Sequence, residues 1–559
     1  MKTLTELLHE GHRYQQQGRL EEAAQMYRQI LRVKPKMVAA IGQLGIARIG
    51  QGRLEEALDQ FDEVVRLDPD SADNHNNRGL CLLWLGCYEE AAAAFRRAWE
   101  LKPDLPFVLG NYAYLRRGVC EWEKIDELSQ QLTQAVREGH PAVSPLYFLE
   151  FSDNPADLLA CARKTAAGFP SVPRPRHAPR GSGERIRLAY LSADFRNHAT
   201  GHIIAELIER HDRSRFEVTA ISVGPDDGSS FHKRLEAAFD RFLDLRQKSS
   251  DDIAHRISSL GIDILVDLMG HIDGNRLEAL AQRPAPIQVN YFGHPGTSGA
   301  DFVDYIIVDP FIVPADQQPF FSERLVHLPD CYQPNDTKRA VAEETPKRAE
   351  CGLPAEGFVF ASFNTCTKIT PEIFDVWMRL LKAVPGSVLW QLAGDGVVRE
   401  NLRREAAARG GDPARIVFAP AVPLDQHLAR HRIADLFLDT RPWNAHVTAS
   451  QALWMGLPIV TCAGRSFQCR VAGSLLTAIG LADLVTETLG DYEKLALALA
   501  TKPERLKEVR ERLARNRDTA PLFDIDRYRR HIEAAYETMM EIRRRGEAAR
   551  AFAVEPIQS

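Results

Sequence analysis

Nowhere in the 559 residues is there an apolar run near the roughly 20 residues a membrane-spanning helix needs, so no bilayer span is expected. The opening stretch, MKTLTELLHEGHRY, is polar and amphipathic and lacks the apolar core of a secretory leader; the expected location is the cytoplasm. A large excess of one sign of charge is lacking as well. The formal net charge is −6, from 70 Lys and Arg against 76 Asp and Glu, which argues against a general nucleic-acid binder. The nine cysteines are scattered; Cys81/Cys87 and Cys462/Cys469 are the close pairs, and neither has the spacing of a common zinc site. Reduced thiols are the simple reading. What remains is an ordinary globular composition, 45% hydrophobic and 26% charged, in a chain too long for one core. At roughly 150 residues per domain, about three or four units are expected.

The first hundred residues repeat themselves. GRLEEAAQMYRQILRVKP begins at Gly18, GRLEEALDQFDEVVRLDP at Gly52 and GCYEEAAAAFRRAWELKP at Gly86. The period of 34 is kept by the glycines, by Ala23, Ala57 and Ala91, by Tyr27, Phe61 and Phe95, and by Pro35, Pro69 and Pro103. A glycine ending one helix, a small residue at a close crossing, an aromatic, and a proline ending the second helix form the tetratricopeptide pattern. A degenerate fourth unit is expected from about Leu105. Asn77 and Asn111 share the period, at the place where a repeat's first helix lines the concave surface. Their amides are candidates to bind the backbone of an acceptor peptide, or are simply solvated.

Residues 120 to 165 still read as helix, which sets the repeat superhelix at 1–165. The Pro/Arg/Gly-rich stretch GFPSVPRPRHAPRGSGE, within 166–184, is a linker. The pattern then changes. IRLAYLSAD, FEVTAIS and IDILVDLMG are short, continuously apolar strands separated by helical stretches, which is βα alternation with buried parallel strands. A second series follows: FVFASFN, SVLWQLAG, RIVFAPAV, ADLFLDT and PIVTCAG. Two series predict two doubly wound α/β lobes, 185–345 and 346–559, the second closed by a long amphipathic helix in RYRRHIEAAYETMMEIRRRGEAARAF.

Ligands of such sheets sit at the carboxyl ends of strands, where helix starts present unpaired N–H groups. After IRLAYLS the loop ADFRNHATGH crowds Asp194, Asn197, His198, Thr200 and His202 before a helix. His271 follows IDILVDLMG, and the turn HPGTSG follows PIQVNYFG. In the second lobe Lys368 lies after FVFASFN, and ADLFLDT leads through RPWNAH into a helix opened by Val447 and Thr448. That helix start favours an anion, His446 and Thr448 add hydrogen bonds, and Lys368 supplies a cation, so a diphosphate is held without a metal. Each of these residues also has a plainer reading. Thr448 caps a helix, Lys368 is a solvated loop residue, His427 lies on the surface, and HPGTSG is only a turn. Several such groups on one predicted rim favour the functional reading.

The segments SADFRNHATGH, RPAPIQVNYFGHPGTSGADFVDYIIVDP, CYQPND, FNTCTKITP, VPGSVLWQL and WNAHVTASQALWMGLPIVT carry a resemblance over nearly the whole chain. It resembles the protein O-linked N-acetylglucosamine transferases, a tetratricopeptide array followed by a two-lobed GT-B glycosyltransferase. Bacterial members with short arrays share the layout. The resemblance implies an inverting transfer of N-acetylglucosamine from UDP-N-acetylglucosamine to Ser or Thr of a protein, with the donor held mostly by the second lobe and no essential metal ion or other cofactor. Lys368 and the start at His446, Val447 and Thr448 match the pyrophosphate contacts. Thr365, Val422, His427 and Arg430 match positions around uracil, ribose and phosphate, and Pro295, Gly296 and Thr297 the turn near the sugar. His198 matches the histidine proposed as base; Asp194 or a donor phosphate oxygen are the other candidates, and His198 alternatively orients its loop.

Two positions in the donor segment depart from the pattern. Val447 stands where members carry a hydroxyl, and Gln451 where an Asp takes the ribose hydroxyls; a neutral amide loses a charge-assisted bond roughly twice as strong as a neutral one. His294 also replaces a common Tyr. The same fold with GDP-fucose, as in SPINDLY-type proteins, or with UDP-glucose is therefore an alternative, and so is a catalytically impaired repeat scaffold that binds partner proteins.

Overall fold

The computed structural model describes residues 2–169, 172, 183–392 and 394–557. Most of the expected linker, from 170 on, lies outside the described residues. Two compact units are present, Met1–Tyr147 and Phe148–Ser559.

The first unit is a run of paired helices: Leu4–Gln16 with Leu20–Val33, Val38–Gly50 with Leu54–Leu67, Ala72–Trp84 with Tyr88–Leu101, and Val108–Gly118 with Ile125–Arg137. Gly18, Gly52 and Gly86 turn each pair at φ of +72°, +73° and +77°, left-handed values that cost glycine little. In the fourth pair Cys120 occupies the equivalent place at φ +55°, and Ile125, Ser129 and Arg137 stand where the period has Ala, an aromatic and Pro, so that repeat is degenerate. The periodic aromatics need a partner, and glycines that keep the same spacing of 34 supply it. Gly11, Gly45 and Gly79 sit beneath them, where an added Cβ would lie 2.5 Å from Tyr27, 2.9 Å from Phe61 and 2.9 Å from Phe95. Asn77 and Asn111 do not share an environment. Asn77 is half-buried, whereas Asn111 is 7% exposed, beside a segment whose Ala142 carbonyl accepts the Gly110 N–H at 2.9 Å.

The second unit holds two parallel sheets. Strands β1 (Ile186–Ser192), β2 (Phe216–Ser222), β3 (Arg241–Asp244), β4 (Ile264–Asp267), β5 (Ile287–Asn290), β6 (Tyr305–Val308) and β7 (Arg324–His327) form the first. Strands β8 (Val359–Ser362), β9 (Val388–Leu392), β10 (Ile416–Ala419), β11 (Leu436–Leu438), β12 (Ile459–Cys462) and β13 (Val485–Thr486) form the second. A last strand, β14 (Phe552–Ala553), joins the first sheet at its edge. The orders are β14-β7-β6-β5-β4-β1-β2-β3 and β10-β9-β8-β11-β12-β13. Central strands are buried on both faces, as parallel strands between helical layers require, and read as apolar runs for that reason. The order reverses between β1 and β4 in the first sheet and between β8 and β11 in the second, and these switch points open ligand crevices.

The closing helix, Ile525–Arg544, follows the second lobe but packs on the first. Its Glu533, fully buried, accepts from His211 Nδ1 and from the Asp212 N–H, both at 2.9 Å. Tyr536 meets Tyr190 at 3.1 Å, Tyr528 donates to the Tyr332 carbonyl at 2.6 Å, and Arg527 pairs with Asp330 at 2.6 Å. Among the described residues no helix is long and apolar enough to cross a membrane.

The glycine-under-aromatic packing gives paired expectations within one helix. Gly45→Ala is expected to lower protection against hydrogen exchange across Val38–Gly50, since overpacking costs about 1–3 kcal/mol against a helix-propensity gain of about 1 kcal/mol. Gly42→Ala, where an added Cβ meets nothing within 4 Å, is expected to raise it. Equal effects at both positions would discard the packing argument.

Candidate active site

The second sheet's switch point is built around a buried carboxylate. Asp439, directly after β11, is 1% exposed. It accepts from the N–H of Thr440 at 2.7 Å and of Ala445 at 2.6 Å, from Thr461 Oγ1 at 2.6 Å and from Asn364 Nδ2 at 3.3 Å. Burial lifts its carboxyl to about 6, and the Thr461, Ala445 and Thr440 donors and Lys368 pull the other way. The bonds curl residues 440–445 into a loop ahead of the helix Val447–Trp454.

Asn364, two residues past β8, joins the two strand ends. Its Nδ2 donates to Thr440 Oγ1 at 2.9 Å, and its Oδ1 accepts from Thr448 Oγ1 at 2.7 Å. The Thr448 hydroxyl, expected as a donor to an anion, is therefore spent inside the protein in this state. Lys368 arrives on a short 3-10 turn, Cys366–Lys368, just before the helix Pro371–Ala383 that Thr370 caps. Its ammonium donates to the Asn444 carbonyl at 3.0 Å and lies 4.8 Å from the Trp443 ring centroid. Burial lowers it to about 8, opposed by Asp439 and Glu150. Lys368 and the helix start thus converge, as the sequence spacing predicts, two residues from His446.

His446 precedes that helix without capping it. Its Nε2 lies 3.4 Å from the Gln468 carbonyl, and burial, with Lys368 second, drives its pKa well down, so it is a neutral imidazole there. The Gln468 carbonyl also accepts the Asn444 N–H at 3.0 Å. Val447 opens the helix and is half-buried. Gln451 lies one turn along the helix from Val447 and is 8% exposed.

A pocket of about 790 Å³ opens on the other side of β8, bordered by Val422, Arg430, Trp390, Pro420 and Lys347. That volume suits a nucleoside-sized ligand. Arg430 stacks over Phe363 at 4.9 Å and donates to the Pro420 carbonyl at 2.7 Å; burial lowers it to about 10. It also bonds His427 Nδ1, and burial drives His427 down to about 2, so His427 is a neutral acceptor rather than a solvated surface histidine. Thr365 is exposed, its hydroxyl 3.1 Å from that of Thr367.

In the first lobe the loop after β1 carries Asp194 and His198. Asp194 is 4% exposed, and its Oδ2 faces His198 Nδ1 at 3.3 Å. His198 is the N-cap residue of the helix Ala199–Arg210, with Nδ1 also 3.4 Å from the Thr200 N–H. In that contact Nδ1 accepts the Thr200 N–H as the helix cap; placing a proton on Nδ1 trades that cap for a hydrogen bond to the Asp194 carboxylate and leaves the Nε2 lone pair to accept another proton. Burial lowers the His198 pKa, and Asp194 opposes the shift. The loop is braced by Asp227, which accepts the Asn197 N–H at 2.8 Å, and by His232 Nδ1 on the Phe195 carbonyl at 2.6 Å. His202 bonds Asn197 at 2.7 Å.

His271, after β4, bonds the Ser298 carbonyl at 2.7 Å and packs edge-on against His294, so it supports the HPGTSG turn. That turn is pinned from below by Glu323, fully buried, which accepts from Thr297 Oγ1 at 2.6 Å, the Ser298 N–H at 2.7 Å and Asn290 Nδ2 at 3.1 Å. Thr297 turns its hydroxyl inward, and Pro295, Gly296 and Thr297 together line a small cavity that Gln468 also lines. Asn364, Asp439, Gln468 and Glu323 do not stand out in the sequence as site residues. A carboxylate inside the apolar run ADLFLDT is the one signal that pointed to any of them.

The glycosyl transferase family 41 profile matches residues 172–347 and 335–532, and a tetratricopeptide repeat profile matches 8–72 and 43–106. The probable UDP-N-acetylglucosamine–peptide N-acetylglucosaminyltransferase SEC of Arabidopsis thaliana is 35% identical over 459 residues, 78% of this chain and 47% of that protein. The UDP-N-acetylglucosamine–peptide N-acetylglucosaminyltransferase of Caenorhabditis elegans is 29% identical over 543 residues, 74% of this chain and 47% of that protein. The probable transferase SPINDLY of Oryza sativa subsp. japonica is 32% identical over 374 residues, 65% of this chain and 39% of its own. The chain thus spans about half the length, or less, of these curated relatives. A lysine-to-methionine mutant of the Thermobaculum terrenum O-GlcNAc transferase superposes with a TM-score of 0.72 at 27% identity, covering 98% of this chain and 100% of that one.

The lowered pKa of Lys368 sets a pH dependence. Its charge is present below about 8 and lost above. Affinity for a nucleoside diphosphate is expected to fall as pH rises through that value, and Lys368→Met is expected to bind about tenfold or more weakly at neutral pH and to lose the alkaline fall. Titrating both proteins against the same ligand by calorimetry cancels the ligand's own ionisation. Parallel pH profiles would place the ammonium away from the bound diphosphate.

Proposed function

The chain belongs to glycosyl transferase family 41, and from that premise we propose that it is an inverting protein O-glycosyltransferase that moves N-acetylglucosamine from UDP-N-acetylglucosamine to Ser or Thr of a protein acceptor. The observation that carries the reading is the Lys368 ammonium, 3.0 Å from the Asn444 carbonyl at the switch point of the second sheet, next to a helix start whose leading amides have no partners within the helix. A departing diphosphate gains negative charge as the anomeric C–O bond breaks. Lys368 and the amides of Val447 and Thr448 offset that charge without a metal ion. The nucleoside occupies the pocket bordered by Val422 and Arg430, with His427 behind Arg430 and Thr365 nearby in the chain. Pro295 and Gly296 face the sugar.

The acceptor hydroxyl attacks the anomeric carbon from the face opposite the leaving group, and its proton goes to His198 Nε2. Asp194, on the other ring nitrogen, holds the tautomer and stabilises the imidazolium that forms. Because burial lowers the pKa of His198, the ring is in its neutral, proton-accepting form at neutral pH. The repeat array, through Asn77 and the surface around it, is the acceptor-gathering part; Asn111, nearly buried, contributes less directly.

Release of nucleoside diphosphate from a panel of UDP-N-acetylglucosamine, UDP-glucose and GDP-fucose, with a cell lysate as acceptor, tests the reading. UDP release from the first donor alone is expected. GDP release would move the assignment to fucose, and absence of turnover with every donor would leave a binding scaffold. Lys368→Ala is expected to lower kcat by roughly 10²–10³, and His198→Ala by roughly 10²–10⁴.

Gln451 is the departure with a measurable consequence. If it faces the ribose, Gln451→Asp restores a charge-assisted bond and is expected to lower the donor KM by about fivefold to tenfold with little change in kcat. An unchanged KM would remove position 451 from the ribose contact.

A further inference from the structure

A segment that precedes the first sheet reaches the crevice of the second. Residues from Phe148 on belong to the same unit as the two lobes. The helix Pro155–Ala166 presses on the first lobe, where a Cβ on Gly299 would fall 2.3 Å from the Ala162 backbone and Ala166 joins the core that holds Ala189 and Leu265. Just ahead of that helix, residues 149–153 are fastened to the second lobe. Gln468 Nε2 donates to the carbonyls of Leu149 at 3.2 Å and Ser152 at 3.0 Å, and Arg441 pairs with Asp153 at 3.2 Å. Leu149 also reaches the turn Pro295–Thr297, since a Cβ on Gly296 would lie 3.9 Å from its Cδ2.

Glu150 lies in the middle of this strap and is 2% exposed. Both anchors of the strap lead to the loop that meets Lys368. The Gln468 carbonyl accepts the Asn444 N–H at 3.0 Å, Arg441 lies three residues before Asn444, and the Asn444 carbonyl accepts from the Lys368 ammonium at 3.0 Å. Three titratable groups face that ammonium among the described residues: Asp439 from the end of β11, Glu150 from the strap, and the neutral imidazole of His446. Asp439 is committed to its four donors. A second carboxylate beside a cation that must receive a diphosphate is a liability once the diphosphate is bound. Its use lies in the empty site: a desolvated ammonium tends to lose its proton, and a nearby negative charge opposes the loss.

We propose that Glu150 is a positioning residue of the transferase site: its carboxylate is the counter-ion of Lys368 while the site is empty, and the donor diphosphate takes that place on binding. This deepens the transferase reading and rests on it for the identity of the incoming anion. Two measurements on the full chain test it. Lys368 is half-buried and open to a small reagent. Competitive acetylation with trace acetic anhydride, read at Lys368 by peptide mass spectrometry, gives the pH at which the amine is half-reactive. Calorimetry with UDP at pH 6.5 gives the affinity. Glu150→Gln is expected to lower the half-reactive pH by about one pH unit. It is also expected to bind UDP about threefold to tenfold more tightly than the wild type, because the diphosphate no longer competes with a carboxylate. Glu150→Ala is expected to move both readings the same way, and Glu150→Asp, which keeps the charge, to hold both near the wild-type values. A part played only in folding would weaken UDP binding and leave the half-reactive pH where it was. An unmoved half-reactive pH in Glu150→Gln, or UDP binding no tighter than in the wild type, overturns the proposal. If the wild-type protein binds no UDP, the transferase reading fails, and the half-reactive pH alone then decides whether Glu150 is the counter-ion.

Discussion

A single carboxylate organises the second lobe's ligand face. Asp439 is enclosed by protein and draws two backbone amides, one hydroxyl and one side-chain amide onto itself. A buried charge is tolerable only with that degree of satisfaction, so the loop that supplies the donors has little freedom. The loop in turn sets the Asn444 carbonyl against Lys368 and fixes where the helix Val447–Trp454 begins. Positive character at the crevice is thus held in place by negative charge one layer deeper. Neither half of that arrangement is stable alone: without Asp439 the ammonium is a desolvated cation, and without Lys368 the carboxylate loses one of the influences that oppose its protonation.

Most of the architecture was legible because parallel strands buried on both faces must be apolar throughout, and helices between them must not be. The strands in IRLAYLSAD, FVFASFN and ADLFLDT fall where their apolar runs do. Strand Arg241–Asp244 was not legible, since an edge strand with charged ends has no such run. Strand Phe552–Ala553 is too short to leave a pattern. In the repeats the period carries the aromatics, the turn glycines and also Gly11, Gly45 and Gly79, but the role of these last three was not legible, because a glycine inside a helix reads as a weakness until the ring above it is known.

The site was legible to the extent that its residues sit next to strand ends. Lys368, His446, Asp194 and His198 were found on that basis, and their spatial neighbours followed the strand order. Groups that act through tertiary contact left no local sign. Glu323 pins a turn whose Thr297 lies far behind it in sequence, and Gln468 lies on a short 3-10 turn, Phe467–Cys469, between β12 and the helix Val471–Ala478. Hydroxyl roles were the least predictable. Thr297 and Thr448 have the right residue type in the right place, yet both direct their protons into the protein, toward Glu323 and Asn364.

The closing helix and the strand after it tie the order of synthesis to the order of folding. The first lobe's sheet receives its edge strand, and its face receives Glu533, Tyr528 and Tyr536, only after the whole second lobe has left the ribosome. Until then His211 and Tyr190 have each other but lack Glu533 and Tyr536, and the surface that the helix covers is bare. The halves are consequently not interchangeable modules joined at a hinge: a nascent first lobe waits, incomplete, for a piece of itself encoded beyond its neighbour, and any split of the coding region between the lobes would strand that piece on the wrong fragment.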